Sequence, residues 1–204
     1  MRGAIAAGSP LTVKAGLEVL RDGGNAVDAA IASTFMACVA EPLLTGLGGA
    51  GLAMVRMNGE VSVCDFFSRA PGRKGKAGKA PAMETIELDF GPTTQVFHAG
   101  AASTGVPGLT AGLDGLSERY GRLPLSRLVQ PAIEAARAGV VVTPGFRRVL
   151  ELLWPILATT PGATSLFSEQ GSALEQGALF RNPDLAEVLE QVGEQGATYF
   201  STGV

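Results

Sequence analysis

Histidine, cysteine and tryptophan are nearly absent from this chain, and charge is sparse. The 204 residues include one histidine (His98), two cysteines (Cys38 and Cys64), one tryptophan and two tyrosines. That inventory excludes a zinc site built from clustered His and Cys. It also excludes a disulfide framework, and both cysteines read as small core residues, Cys38 in an apolar helix and Cys64 in an apolar strand. Nothing in the sequence asks for a metal or a cofactor. Charged residues make up only 17% and apolar residues 46%, with a mean hydropathy of +0.25. Such a composition fills a core and is not that of a disordered chain. The low charge has two readings: a surface partly covered by another chain or segment, or simply a plain Ala/Gly-rich surface.

Net charge is −3, so no global basic field points to nucleic acid. Arg73, Lys74, Lys76 and Lys79 do cluster, but no aromatic lies among them to stack a base, and they read as a solvated loop. No apolar run is long enough to cross a bilayer. The longest, from Ala26 to Ala40, is broken by Asp28, Ser33 and Thr34. Met1-Arg2-Gly3 leads directly into fold-like sequence without a secretory apolar region. The protein is therefore expected in the cytoplasm if Met1 is the true start, and in the periplasm or outside the cell if a leader was removed.

Helix signals dominate what is present. Ser9-Pro10 opens a first helix with Val13, Leu17 and Leu20 on one stripe, and Gly23 ends it. Asn25 caps a second helix and Asp28 adds negative charge to its first turn. That helix is small or apolar nearly all round, which predicts a central, buried position. Glu41-Pro42 stops it. Asn58-Gly59 between the apolar runs Leu52 to Met57 and Glu60 to Phe66 is a strong hairpin signal. Residues 68–102 are rich in Gly, Pro, Lys and Thr and read as an extended loop excursion, with a short strand at Gln95 to Phe97. Four more helices follow. They are opened by Pro107, Ser126 (with Pro131 in the first turn or so), Thr143-Pro144 and Asn182-Pro183. One hairpin cannot bury a face alone, so it is expected to join a larger sheet whose other strands lie mostly outside this chain.

Several segments occur in an informative order. Gly23-Gly24-Asn25-Ala26-Val27-Asp28-Ala29-Ala30 precedes Glu41-Pro42 and Gly46-Leu47-Gly48-Gly49. The hairpin ends in Asp65-Phe66 and Ala70-Pro71, and Ser103-Thr104-Gly105-Val106-Pro107-Gly108 follows. Tyr120-Gly121, Gln130-Pro131-Ala132 and Ala135 to Gly139 close the series. This set resembles the large chain of γ-glutamyltranspeptidases and related acylases over nearly the whole length, and residues 1–204 read as the N-terminal portion of such a chain. The resemblance implies an α+β fold, the αββα sandwich of N-terminal nucleophile hydrolases, with this chain supplying mostly helices and an early hairpin. It implies a self-cutting precursor whose small chain begins with a threonine. That threonine attacks a γ-glutamyl amide with its own α-amine as base, and the glutamyl group passes to water, an amino acid or a peptide.

The implied partners are thus the small chain and a small γ-glutamyl substrate, with no nucleic acid and no membrane span. No catalytic residue is expected in this chain, which alone should be inactive. Thr45, Ser103 and Thr104 are its tempting hydroxyls, and Ser103 and Thr104 read as helix caps. The family grips the substrate carboxylate with an arginine just after the hairpin, in a pattern like Asp-Phe-Arg-Glu-x-Ala-Pro. This chain has Phe67 there. Arg69, two residues on and on the same side of an extended strand, is the candidate substrate-binding residue, against the alternative of an ordinary surface arginine. The departure keeps open an acylase acting on glutaryl-type groups, or a non-catalytic subunit. The glycine cluster Gly46 to Gly51 is not a phosphate loop: it lacks the Lys-Ser/Thr pair and precedes a strand.

Overall fold

The computed structural model of the chain describes residues 3–71 and 82–202. The elements run α1 (Pro10–Arg21), α2 (Ala26–Ala40), β1 (Gly51–Met57), β2 (Glu60–Phe66), β3 (Glu84–Asp89), β4 (Thr94–Ala99), α3 (Leu109–Tyr120), α4 (Leu125–Ala138), β5 (Val140–Val141), α5 (Pro144–Leu157), α6 (Pro161–Leu166), β6 (Ser168–Glu169), β7 (Ser172–Ala173), β8 (Leu179–Phe180), α7 (Pro183–Gln195) and α8 (Ala197–Thr202). Helix dominates, and the strands pair only in twos among the described residues. The chain divides into two compact units. The first comprises Met1–Ser68, Pro107–Val140 and Arg181–Val204; the second comprises Arg69–Val106 and Val141–Phe180.

In the first unit, the junction of α1 and α2 follows from local chemistry. The Ser9 hydroxyl accepts the Leu11 N–H at 3.2 Å, and Gly23 takes φ +93°, where a side chain would be strained. Asn25 Oδ1 accepts the N–H groups of Val27 and Asp28, and Asp28 Oδ2 accepts the Asn25 N–H in return. The resulting helix α2 packs on α1, α3 and α4, and α4 packs on α7. Ile31, Phe35 and Val39 of α2, Val19 of α1, Leu128 of α4 and Leu189 of α7 are fully buried. A helix apolar all round thus sits at the centre, with Ala26 and Ala30 as its exposed exceptions.

The β1–β2 hairpin has the expected register, Met57 opposite Glu60 and Gly51 opposite Phe66, with Asn58 and Gly59 both at positive φ. One face carries Val55 and Phe66 inward. The other presents Leu52, Met54, Val61 and Val63 to solvent, Met54 at 77% exposure. One expectation needs correction. Pro131 does not lie near the start of α4 but in its middle, since the helix begins at Leu125 behind Pro124. An interior proline forfeits a backbone bond and costs roughly 3 kcal/mol. Here Pro131, Ala132, Ile133 and Ala136 are all buried, and that packing offsets the loss.

The second unit contains structure within residues 68–102. Strands β3 and β4 pair antiparallel from Glu84 opposite Ala99 to Asp89 opposite Thr94, around a turn closed by the Phe90 N–H to the Thr93 carbonyl. Leu88 is the one fully buried side chain of that hairpin, which packs on α5. Thr143 caps α5 through the Phe146 N–H, as its sequence predicts. Phe146, Phe167 and Phe180 form an aromatic core, with Phe167 and Phe180 stacked at 5.2 Å. Helices α6 and α8 and the short β6–β7 pair were not anticipated from the sequence. The basic cluster at Arg73, Lys74, Lys76 and Lys79 lies outside the described residues.

Candidate functional site

In the first unit, the glycine loop, the end of β2 and the start of α3 are locked together by backbone. The Gly49 N–H closes a tight turn onto the Gly46 carbonyl at 2.8 Å. The Gly49 carbonyl accepts two donors, the N–H groups of Gly108 at 3.0 Å and Leu109 at 3.1 Å. The loop thereby takes up the first amides of α3, which has no side-chain cap. Those amides are not free to hold an anion, and the loop itself leads into β1, so a phosphate-binding role is excluded here.

Phe66 is the pivot of this junction. A β-carbon at Gly108 would overlap the Phe66 carbonyl oxygen, and one at Gly112 would overlap the Phe66 ring. A β-carbon at Gly51 would lie 2.6 Å from the same ring. Three glycines therefore let β1, β2 and α3 close on a single residue, Gly51 and Gly112 against its side chain and Gly108 against its carbonyl. The sequence offered the glycines; only the fold reveals what they approach.

Strand β2 ends at Phe66. The Asp65 carboxylate then accepts the Phe67 N–H at 2.9 Å, turning the chain out of the strand, and Phe67 is 63% exposed. The two-residue alternation that linked position 67 to Arg69 therefore stops before either residue. In the second unit, Arg69 forms an isolated antiparallel bridge with Val106. Its N–H donates to the Val106 carbonyl at 3.2 Å and its carbonyl accepts the Val106 N–H at 2.7 Å. The Arg69 side chain is exposed and forms no ion pair among the described residues.

The hydroxyl candidates are placed as follows. Thr45 follows the end of α2, with its N–H on the Glu41 carbonyl at 3.2 Å and its side chain bonded to Cys38. Ser103 donates to the Gly100 carbonyl at 2.8 Å in a 3-10 turn. Ser103 and Thr104 do not cap α3, a correction to the sequence reading: the helix starts at Leu109, too far along the chain for either side chain to reach its first amides. None of the three hydroxyls is bonded to a base among the described residues. No cluster of three or more His, Cys, Asp or Glu that could hold a metal exists among the described residues, and no described helix is long and apolar enough to cross a membrane.

Cys38 is buried in α2, and burial pushes its thiol up from 9.0 to about 11. A thiol reagent at pH 8 is expected to modify the half-buried Cys64 first and Cys38 only on unfolding. Because the folded-state value is raised, stability from this group is full below pH 9 and falls as pH rises from 9 through 11. Equal labelling rates for the two cysteines would contradict the packing of α2.

The fold is that of the N-terminal nucleophile hydrolases, with this chain supplying mainly its helical part. The crystal structure of γ-glutamyltranspeptidase from Helicobacter pylori superposes with a TM-score of 0.84 at 29% identity, covering 98% of this chain and 56% of that one. The sequence model of the gamma-glutamyltranspeptidase family matches residues 12–204, and the chain belongs to that family. Glutathione hydrolase 3 of Arabidopsis thaliana is 36% identical over 201 residues, 98% of this chain and 30% of that protein. The acylase ACY 1 proenzyme of Pseudomonas sp. (strain V22) is 34% identical over 200 residues, 96% of this chain and 35% of that protein. The chain thus spans about a third of the length of these relatives.

Proposed function

We propose that this chain is the N-terminal part of the large chain of an enzyme that cleaves γ-glutamyl amides such as glutathione. The glutamyl group passes to water, an amino acid or a peptide. The observation that carries the reading is the family match over residues 12–204 of a chain whose candidate hydroxyls, Thr45, Ser103 and Thr104, are paired with no base among the described residues. The nucleophile is then a threonine at the start of a small chain cut from the same precursor, using its α-amine as base. The exposed apolar face of the hairpin at Leu52, Met54, Val61 and Val63 supports a further covering polypeptide.

Arg69 is the carboxylate-binding residue in this reading, supported by an exposed guanidinium without an ion-pair partner among the described residues. Its test is Arg69→Ala in the protein expressed from its whole gene. A lost charged hydrogen bond of about 1.5–3 kcal/mol corresponds to a rise of roughly 10–100-fold in KM for a γ-glutamyl anilide. An unchanged KM removes Arg69 from the site. A second reading, an acylase for glutaryl-type groups, is favoured by Phe67 in place of the family's arginine and by the likeness to ACY 1 proenzyme. Comparing γ-glutamyl with glutaryl anilides separates the two, since the acyl groups share the terminal carboxylate and only the former carries the α-amine.

A further inference from the structure

Within the first unit, the turn end of the β1–β2 hairpin and the C-terminal end of α3 enclose a hollow of about 400 Å³. Val55 stands opposite Ser62 and Met57 opposite Glu60, so these four side chains share one face of the hairpin. All four line the hollow, and Arg119, Tyr120 and Arg122 line it from the side of α3. Its walls thus combine apolar surface from Val55 and Met57 with two guanidinium groups and one carboxylate. A hollow of that size suits a small organic ligand held by a few convergent polar groups.

These charges do not neutralise one another. Glu60 pairs with neither arginine, and neither arginine pairs with any other carboxylate among the described residues. Arg127, Arg137 and Arg147, by contrast, each reach a carboxylate. The Glu60 carboxylate and the Ser62 hydroxyl have no hydrogen-bond partner among the described residues either. The Arg119 guanidinium lies 5.1 Å from the centroid of the Tyr120 ring. Stacking of that kind holds the face of a guanidinium and leaves its N–H edge for an anion. The Tyr120 phenol oxygen is buried and unpartnered among the described residues, and an orphan of that kind marks a place where a further group is accepted. The C-terminal end of a helix repels an anion through its free carbonyls. Two of these are occupied here: the Tyr120 carbonyl accepts Asn25 Nδ2 at 2.6 Å and the Ser117 carbonyl accepts the Gly121 N–H at 2.8 Å. The Arg122 N–H is fixed on the Asp28 carboxylate, while its side chain is exposed.

We infer that this hollow binds a short peptide with free ends. The peptide carboxylate lies against Arg119 and Arg122, its ammonium against Glu60, and its apolar side chains on Val55 and Met57. A simple anion would use the two arginines but set its charge beside that of Glu60, a repulsion that a bound ammonium turns into attraction. A dipeptide carries its opposite charges at its two ends, matching cations on the α3 wall and a carboxylate on the hairpin wall. The site is built from this chain alone and does not depend on the γ-glutamyl reading.

The test is calorimetric titration of the protein expressed from its whole gene with leucyl-leucine, N-acetyl-leucyl-leucine and leucyl-leucine amide, with no acyl donor present. The free dipeptide should bind about tenfold or more tightly than either blocked form, the loss expected for one charged hydrogen-bonded contact. Arg122→Gln should weaken the free dipeptide and shrink its advantage over the amide, while its advantage over the acetylated form persists. Glu60→Gln should do the reverse. All three side chains that carry charge here are exposed, so these variants fold, and circular dichroism melts matching the parent confirm it. Absence of binding overturns the proposal. So does binding whose two preferences survive both substitutions, since the peptide then sits elsewhere on the protein. Equal binding of the free and acetylated forms overturns the peptide in favour of a simple anion.

Discussion

Asp28→Ala is expected to destabilise this chain by about 3 kcal/mol or more, enough to unfold a marginally stable domain. The Asp28 side chain is fully buried. It accepts the Asn25 N–H at 2.7 Å and the Arg122 N–H through both oxygens, at 3.0 and 3.2 Å. One carboxylate thereby closes the capping box of α2 and ties that helix start to the turn after α3. Removing it leaves two amide donors without partners, each costing roughly 1–3 kcal/mol. Asn25 carries a smaller load: its side-chain oxygen caps α2, and its Nδ2 donates to the Tyr120 carbonyl. Asn25→Ala is therefore expected to cost about 2 kcal/mol, the upper end for a lost cap. Urea unfolding followed by circular dichroism measures both. An Asp28→Ala midpoint within error of the parent would show that α2 and α3 are not joined in this way.

Gly108→Ala is expected to cost about 2–3 kcal/mol, the range for forcing atoms into filled space. The added methyl meets the Phe66 backbone carbonyl, which cannot rotate away as a side chain could. The glycine loop must then part from α3, breaking the paired bonds onto the Gly49 carbonyl. Gly112→Ala meets the Phe66 side chain at Cγ, Cδ1 and Cβ, so Phe66→Ala, which removes the ring, should rescue part of its loss and none of the Gly108→Ala loss. In the whole-gene protein, Gly108→Ala should also lower activity, because the loop and β2 exit move together. Equal rescue of both variants by Phe66→Ala would place the clash elsewhere.

What the sequence made legible was what local chemistry decides. Ser9, Asn25, Thr143 and Asn182 all cap the helices they were read as capping, because each oxygen needs only the next two or three amides. Asn58-Gly59 set the hairpin register for the same reason. The errors came where tertiary packing wins. Pro131 stands in mid-helix because burial against neighbouring helices outweighs one lost bond. Strand β3 carries only a short alternation, Ile86-Glu87-Leu88-Asp89, with Leu88 buried and Ile86 half-buried, inside a stretch otherwise rich in turn residues. Ser103 and Thr104 were read as caps because the real helix start, at Leu109, is set by the distant Gly49 carbonyl. The candidate site was legible as an ordered set of motifs. That Phe66 is the residue on which the glycines close, and that β2 ends before Arg69, only the fold reveals.

The central claim is the proposal that this chain is part of the large-chain scaffold of a self-processing enzyme. Intact-mass analysis with N-terminal sequencing of the protein expressed from its whole gene tests it most directly. The account predicts two chains, one of them beginning with threonine, and γ-glutamyl amide cleavage only when both are present. A single uncut chain, or glutathione hydrolysis by the isolated 204 residues, would contradict it.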